Sequence, residues 1–330
     1  MSANPSSAAK VATGELSLSP VGKAAKVGVL IGAVILAALP LVLPNYQVSV
    51  MTEVLIFAVL AMSIDMLAGY AGRTSLCHGA IFGTATYMTI YLTQDGTPIA
   101  VAMFAGVLVA TMLAAVFGIL AIRTSGVYFL LLTLALGMVV WGICLRWTSV
   151  TGGENGLRGT GRPEMLNDHV SFYYVVFACV AVITLAMWRI VRSPFGLTLR
   201  GIRDSESRMQ ALGYNVPLHM FLAFMISGFF AGLAGALYAV FNNFVSPSAV
   251  ALVLSVEGLL MAIVGGVGTL FGGFIGAAAV IMLENVVSLY TERWQTVLGL
   301  TFIIIMLFAP DGVLGRLKQG FAKWTRQNAR

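Results

Sequence analysis

Apolar runs of about 20 residues recur along the whole of this 330-residue chain, each long enough to cross a hydrocarbon layer roughly 30 Å thick as a helix. That feature leaves little choice of fold. The composition agrees: 59% of residues are hydrophobic and 10% charged, against about a quarter charged in an ordinary soluble domain. The chain reads as an all-α, polytopic membrane protein.

Candidate helices cover residues 27–44, 50–69, 76–93, 99–121, 126–145, 170–190, 217–241, 250–266, 270–289 and 294–309. That makes about ten crossings, with eight to ten as the range. The glycine-dense stretches "AGYAGRTSLCHGAIFG" and "VGGVGTLFGGFIGAA" permit the chain to break or re-enter inside a bundle. They also match faintly, Gly69 and Gly72 against Gly265 and Gly268, as internal repeats of transporters do. Residues 1–22 are polar and rich in small residues, the signature of a disordered tail. The run from Val27 to Pro44 exceeds the roughly 7–15 residues of a signal-peptide core and lacks a small-residue cleavage pattern, so it reads as a retained first span.

A cytoplasmic N-terminus places 15 of the 19 basic residues inside and leaves Arg146, Arg158, Arg162 and Arg293 outside. The positive-inside rule therefore predicts that both termini are cytoplasmic. The same scatter of single Lys and Arg residues at the ends of apolar runs argues against a nucleic-acid partner despite the net charge of +6. Cys77, Cys144 and Cys179 sit in apolar surroundings without CxxC spacing, so neither a metal site nor a disulfide framework is expected. No GxxxxGK[ST] and no GxGxxG opening a βαβ unit occurs, so the chain cannot cradle ATP itself. Gly268, Gly272 and Gly276, with Gly228, Gly232 and Gly235, instead have the spacing of close helix packing. No Ser/His/Asp set, HExxH or carboxylate pair supports catalysis.

Asp65, Glu257 and Glu284 fall within or at the edge of spans, where an ionisable side chain needs compensation. Two readings stand: they line a water-filled path or proton relay, or they are hydrogen-bonded structural glue. His78 likewise lines the path or packs. The connection 146–169 is either a solvated loop or a docking surface or gate, since loops of this length are often functional.

The most unusual stretch is "SPFGLTLRGIRDSESRMQALG", residues 193–213. Ser193 and Pro194 suit a helix start and Gly213 a left-handed cap. Leu199, Ile202, Met209 and Leu212 fall near one face, with Arg200, Arg203, Asp204, Ser207 and Arg208 over the others. Such an amphipathic helix floats in the lipid interface or presses its ridge into a groove on a soluble partner.

The pattern S-P-F-G-x-x-L-R-x-I-R-[DE]-x-[ED]-x-x-x-x-A-L-G before an apolar span resembles the cytoplasmic coupling loop of the branched-chain amino-acid ABC transporter permease family, LivM branch, of which urea permeases are close relatives. "MLAGYAGRTSLCHGAIFGTATY", "SGVYFLLLTLALG", "TSVTGGENGL", "ISGFFAGLAGALYA", "SVEGLLMAIVGGVGTLFGGFIGAA" and "LFAPDGVLG" are similar to further family stretches, in the family's order, from about Val50 to Arg316. Two departures stand out: Asp65 replaces a usual asparagine, and Cys77 a common glycine.

The resemblance implies an ABC-importer permease fold in the bacterial cytoplasmic (inner) membrane, with residues 23–316 as the permease domain and 317–330 as a basic cytoplasmic tail. It implies half of a translocation pathway, completed by a homologous second permease, two cytoplasmic ATPase subunits and a periplasmic solute-binding protein. ATP and Mg are used by the ATPases, and this chain binds no cofactor and is no enzyme. Within the coupling loop 193–216, Leu199, Ile202 and Leu212 are expected to seat in an ATPase groove. Arg200, Arg203, Asp204, Glu206, Arg208 and Gly213 complete the coupling set. Asp65, Ser75, His78, Glu257 and Glu284 are the pathway candidates. Gly152, Gly153, Glu154, Asn155 and Arg158 are the candidates for docking the binding protein. The implied cargo is a branched-chain or other small amino acid, with urea or a short amide second. Outside this class, the rival is a proton-coupled secondary transporter resting on Asp65, Glu257 and Glu284.

Overall fold

The computed structural model describes residues 28, 32–161, 167–291 and 293–308. The tails expected at 1–22 and 317–330 lie outside the described residues. Twelve helices order the rest: α1 (Gly32–Leu41), α2 (Asn45–Asp65, continued by a wide turn Met66–Tyr70), α3 (His78–Gln94), α4 (Ile99–Ala121), α5 (Val127–Arg146), α6 (His169–Arg192), α7 (Pro194–Asp204), α8 (Glu206–Ala211), α9 (Val216–Asn242), α10 (Leu252–Gly265), α11 (Gly272–Val287) and α12 (Trp294–Phe308). Two short strands, β1 (Leu157–Arg158) and β2 (Phe244–Val245), pair antiparallel with Leu157 opposite Val245.

Local chemistry sets several of these boundaries. Asp168 caps α6 by accepting the N–H of Ser171 at 3.1 Å, and Asn215 caps α9 by accepting that of Leu218 at 3.1 Å. Pro194 opens α7 and Pro217 stands in the first turn of α9, where a missing N–H costs nothing. Asn243, at φ 54°, ends α9 in the left-handed conformation.

The core is built on α2 and α9. Nearly every α2 residue from Val54 to Asp65 is buried, because α6, α9, α10 and α11 surround it. Meanwhile α9 packs along α3 and α4. Glycines make that approach possible: a Cβ at Gly228 would strike Ala114, and one at Gly235 the carbonyl of Phe82. The predicted role of these glycines in helix packing is therefore what the fold uses. By contrast α4 and α5 leave large apolar side chains outside the bundle, Phe104 and Tyr128 among them. This is the surface expected against lipid.

Five helices are long and apolar enough to cross a membrane: α2 with its wide turn, α4, α5, α6 and α9. Others are shorter. The 14 residues of α10 and 16 of α11 extend about 21 and 24 Å at 1.5 Å per residue. Irregular backbone precedes the half-length helices, at 71–77 before α3 and at 243–251 before α10. Much of it is packed inside the protein, where non-helical chain is tolerated: Ser75, Cys77, Val245, Pro247 and Val250 are buried, while Gly72, Phe244 and Ser248 are exposed. The N-terminal ends of α3 and α10 meet there, Gly79 donating its N–H to the Ser255 hydroxyl at 2.9 Å.

Candidate functional site

At one end of the bundle the charged stretch folds as two short helices, α7 and α8, joined at Ser205. Its apolar ridge turns inward. Leu199 is 2% and Ile202 1% exposed, both within the protein's own core. This corrects the expectation that they seat in a partner's groove: the ridge is consumed in fixing α7 to its own bundle. Leu212 is 67% exposed beyond α8, and Leu197 and Tyr214 are exposed as well.

Several charged side chains also reach back to the bundle. Arg203 donates to the carbonyl of Gly69, Arg200 lies 4.8 Å from the centre of the Tyr70 ring, and Glu206 pairs with Arg73. Arg73 is itself buried, donating to the Thr124 carbonyl as well and lying 5.6 Å from the Phe129 ring. Three consecutive turns of the charged stretch thus grip residues 69–73. Asp204 and Arg208 remain at the surface, and Gly213 adopts φ 86° in open space. Arg73 and Tyr70 were not singled out from the sequence. The signal was there: a lone arginine beside an aromatic next to a glycine-rich stretch.

Asp65 is 2% exposed. Its carboxylate accepts two backbone amides from the turn between α10 and α11, Gly268 at 2.6 Å and Leu270 at 3.0 Å. Ser75 and His78 are equally enclosed. The Ser75 hydroxyl lies 3.2 Å from the Cys77 sulfur, and His78 Nε2 lies 2.7 Å from the Ser227 hydroxyl. Since Ser227 spends its one proton on the carbonyl of Ser63, His78 is the donor in that pair, which fixes the proton on Nε2.

Glu257 on α10 and Glu284 on α11 are half-buried. They do not join Asp65. Instead they group with Glu53 of α2, the three carboxylates lying near enough to one another and to Tyr238 to interact electrostatically. Glu53 was overlooked in the sequence, although it stands in the apolar run of 50–69 under the same rule that selected Asp65. Among the described residues no group of three His, Cys, Asp or Glu side chains is placed to hold a metal ion.

At the opposite end, the loop after α5 makes one helical turn, Thr148–Thr151, and a tight turn at Gly153–Asn155. Gly152 and Gly153 take positive φ, and a Cβ at Gly152 would strike the Gly156 carbonyl. They shape the loop, while Glu154, Asn155 and Arg158 are exposed on it. Pairing of β1 with β2 and the bond from Gly159 N–H to the Asn243 carbonyl at 2.9 Å tie this loop to the end of α9.

Residues 46–309 match the family model described as "Branched-chain amino acid transport system / permease component". Among curated proteins, the chain is 25% identical over 324 residues to the high-affinity branched-chain amino acid transport system permease protein LivM of Salmonella typhimurium, covering 88% of this chain and 76% of that protein. LivM of Escherichia coli is 25% identical with the same coverage. A tyrosine transport system permease protein of Clostridioides difficile is 24% identical over 63% of this chain and 70% of its own length. No solved structure matches the chain with significance. A helical bundle with spans of membrane-crossing length, matched across most of its residues, places the chain in the branched-chain amino acid transport permease family.

Proposed function

We propose that this protein is the membrane-spanning permease subunit of an ATP-driven importer for branched-chain or other small amino acids. It contributes half of the pathway, and a homologous second permease contributes the rest. Two cytoplasmic ATPases supply the energy and hold the ATP and Mg, and a periplasmic binding protein delivers the solute. The chain spans a bacterial cytoplasmic membrane about ten times, with both termini and residues 193–216 inside. The importer's substrate is read mainly by the binding protein, and urea or a short amide is the second candidate cargo.

The observation that carries this reading is the two-sided character of residues 193–213. Its inner side is anchored through Leu199, Ile202, Arg200, Arg203 and Glu206, while its outer side offers Leu197, Leu212, Asp204 and Arg208. A helix merely floating in the lipid interface has no need of an ion pair to a buried arginine of its own bundle. A handle that transmits force needs both a grip for the motor and a rigid attachment. The pathway is lined by Glu257 and Glu284 with Glu53 rather than by the enclosed Asp65, Ser75 and His78. Binding-protein docking falls to Glu154, Asn155 and Arg158, held in place by Gly152 and Gly153.

A photo-crosslinking residue at position 212 or 197 tests the handle in membranes holding the whole assembly. The expected result is capture of the ATPase from these two positions and none from position 202. Capture from 202 but not from 212 or 197 rejects this orientation, and no capture from any position rejects the coupling role.

A further inference from the structure

Gly69 is a crossing point. Its carbonyl takes the guanidinium of Arg203 from α7, and its Cα side is pressed against the turn between α10 and α11. A Cβ there would meet the Asp65 carboxylate and the Gly268 backbone, its Cα at 2.7 Å. Only glycine permits that approach. One turn earlier, Asp65 holds the same turn through the N–H groups of Gly268 and Leu270. Leu270 sits at φ 45°, a conformation that a leucine keeps only where its surroundings impose it.

What lies beyond the turn is closely packed. Gly265 and Gly272 are in backbone contact, and a Cβ at Gly276 would strike the Met261 carbonyl. The two half-length helices are therefore locked at their shared end, and they carry Glu257 and Glu284. The buried Asp65 carboxylate cannot leave its two amides without a desolvation cost, and the half-exposed Arg203 ties the same point to α7, so a continuous chain of bonds joins α7 to the turn.

We propose that Arg203, Gly69 and Asp65 form a linkage through which movement of α7 displaces the α10–α11 hairpin and with it the carboxylates of the pathway. This rests on the reading of residues 193–213 as the ATPase handle. Arg203 and Asp65 are positioning residues, neither touching the solute. The guanidinium suits its place because it stays charged and holds a fixed fork geometry.

The test uses the complete reconstituted assembly and reads solute imported per ATP hydrolysed. Arg203→Gln and Asp65→Ala are each expected to lower that ratio about tenfold, within the range of an ordinary coupling energy, while ATP hydrolysis and co-purification of the ATPases persist. Both break one linkage, so the double variant should fall no lower than the worse single one. Arg203→Lys, which keeps a cation and a donor, should recover most of the ratio. An unchanged ratio in the single variants, or losses that multiply in the double, overturns the linkage. A second measurement avoids disruptive changes: spin labels at positions 204 and 267 should keep their distance between nucleotide-free and ATP-bound assemblies, while the 267-to-119 distance changes. A change between 204 and 267 overturns the proposal. Wild-type import that proceeds without ATP hydrolysis rejects the underlying reading instead; ATP-driven import unaffected by the variants rejects only the linkage.

Discussion

The carboxylate of Asp65 receives the backbone N–H of Gly268 at 2.6 Å across 203 residues of sequence, and that of Leu270 at 3.0 Å. Removing it orphans both donors, at a cost on the order of 1–3 kcal/mol for each amide left unsatisfied in a buried site. Asp65→Ala is therefore expected to lower the thermal midpoint of the detergent-solubilised protein clearly. Asp65→Asn should do so less, because its remaining oxygen still accepts one amide. Equal midpoints for wild type and Asp65→Ala would show that the turn does not depend on this carboxylate.

Two glycines within long apolar helices should behave oppositely. At Gly235 a methyl group would collide with the Phe82 carbonyl on α3, whereas at Gly142 on α5 there is nothing within 4 Å. Overpacking of this kind costs typically about 1–3 kcal/mol. Gly235→Ala should thus reduce the melting midpoint and Gly142→Ala leave it unchanged or slightly raised. A matched pair of melts decides it.

The inward and outward leucines of the handle separate stability from coupling. Leu199→Ala removes a buried side chain and is expected to destabilise by about 2–5 kcal/mol. Leu212→Ala should leave the melting midpoint alone and weaken retention of the ATPases during purification. If Leu212→Ala melts early while the ATPases stay bound, the two faces have been assigned the wrong way round.

Asp168 gives a pH dependence with a definite sign. Hydrogen bonds from the Ser171 N–H and hydroxyl hold its carboxyl below the usual carboxylate value. A depressed folded-state value means that the cap's contribution is fully present above the unfolded value of about 3.8 and is lost as pH falls through the lower folded one. Amide exchange at Ser171 should accordingly gain protection with rising pH only in that acid window, after correction for the intrinsic rate. With Asp168→Asn the step should vanish.

Apolar run length located the long spans closely. The expected 99–121 is α4 to the residue, and 126–145, 170–190 and 217–241 fall within two residues of α5, α6 and α9 at each end. Run length also promised full spans at 250–266 and 270–289. There the chain forms α10 and α11, 14 and 16 residues long, because glycines at 265, 266 and 268 turn it back early. The candidate site was legible as a list and not as an arrangement. Periodicity marked Leu199 and Ile202 as one apolar face, but a face carries no label for what covers it. The partners of Arg203 and Glu206, Gly69 and Arg73, lie more than 130 residues away in sequence, beyond the reach of any local pattern. Glu53 was legible and was passed over.

Energy for transport is proposed to arrive from separate ATPases through residues 193–213. Proteoliposomes containing the purified permease pair and binding protein, with or without the ATPases, measure this directly. Solute uptake is expected only when the ATPases and ATP are both present, and it should survive collapse of the proton gradient. Uptake driven by a proton gradient in vesicles lacking the ATPases would contradict it.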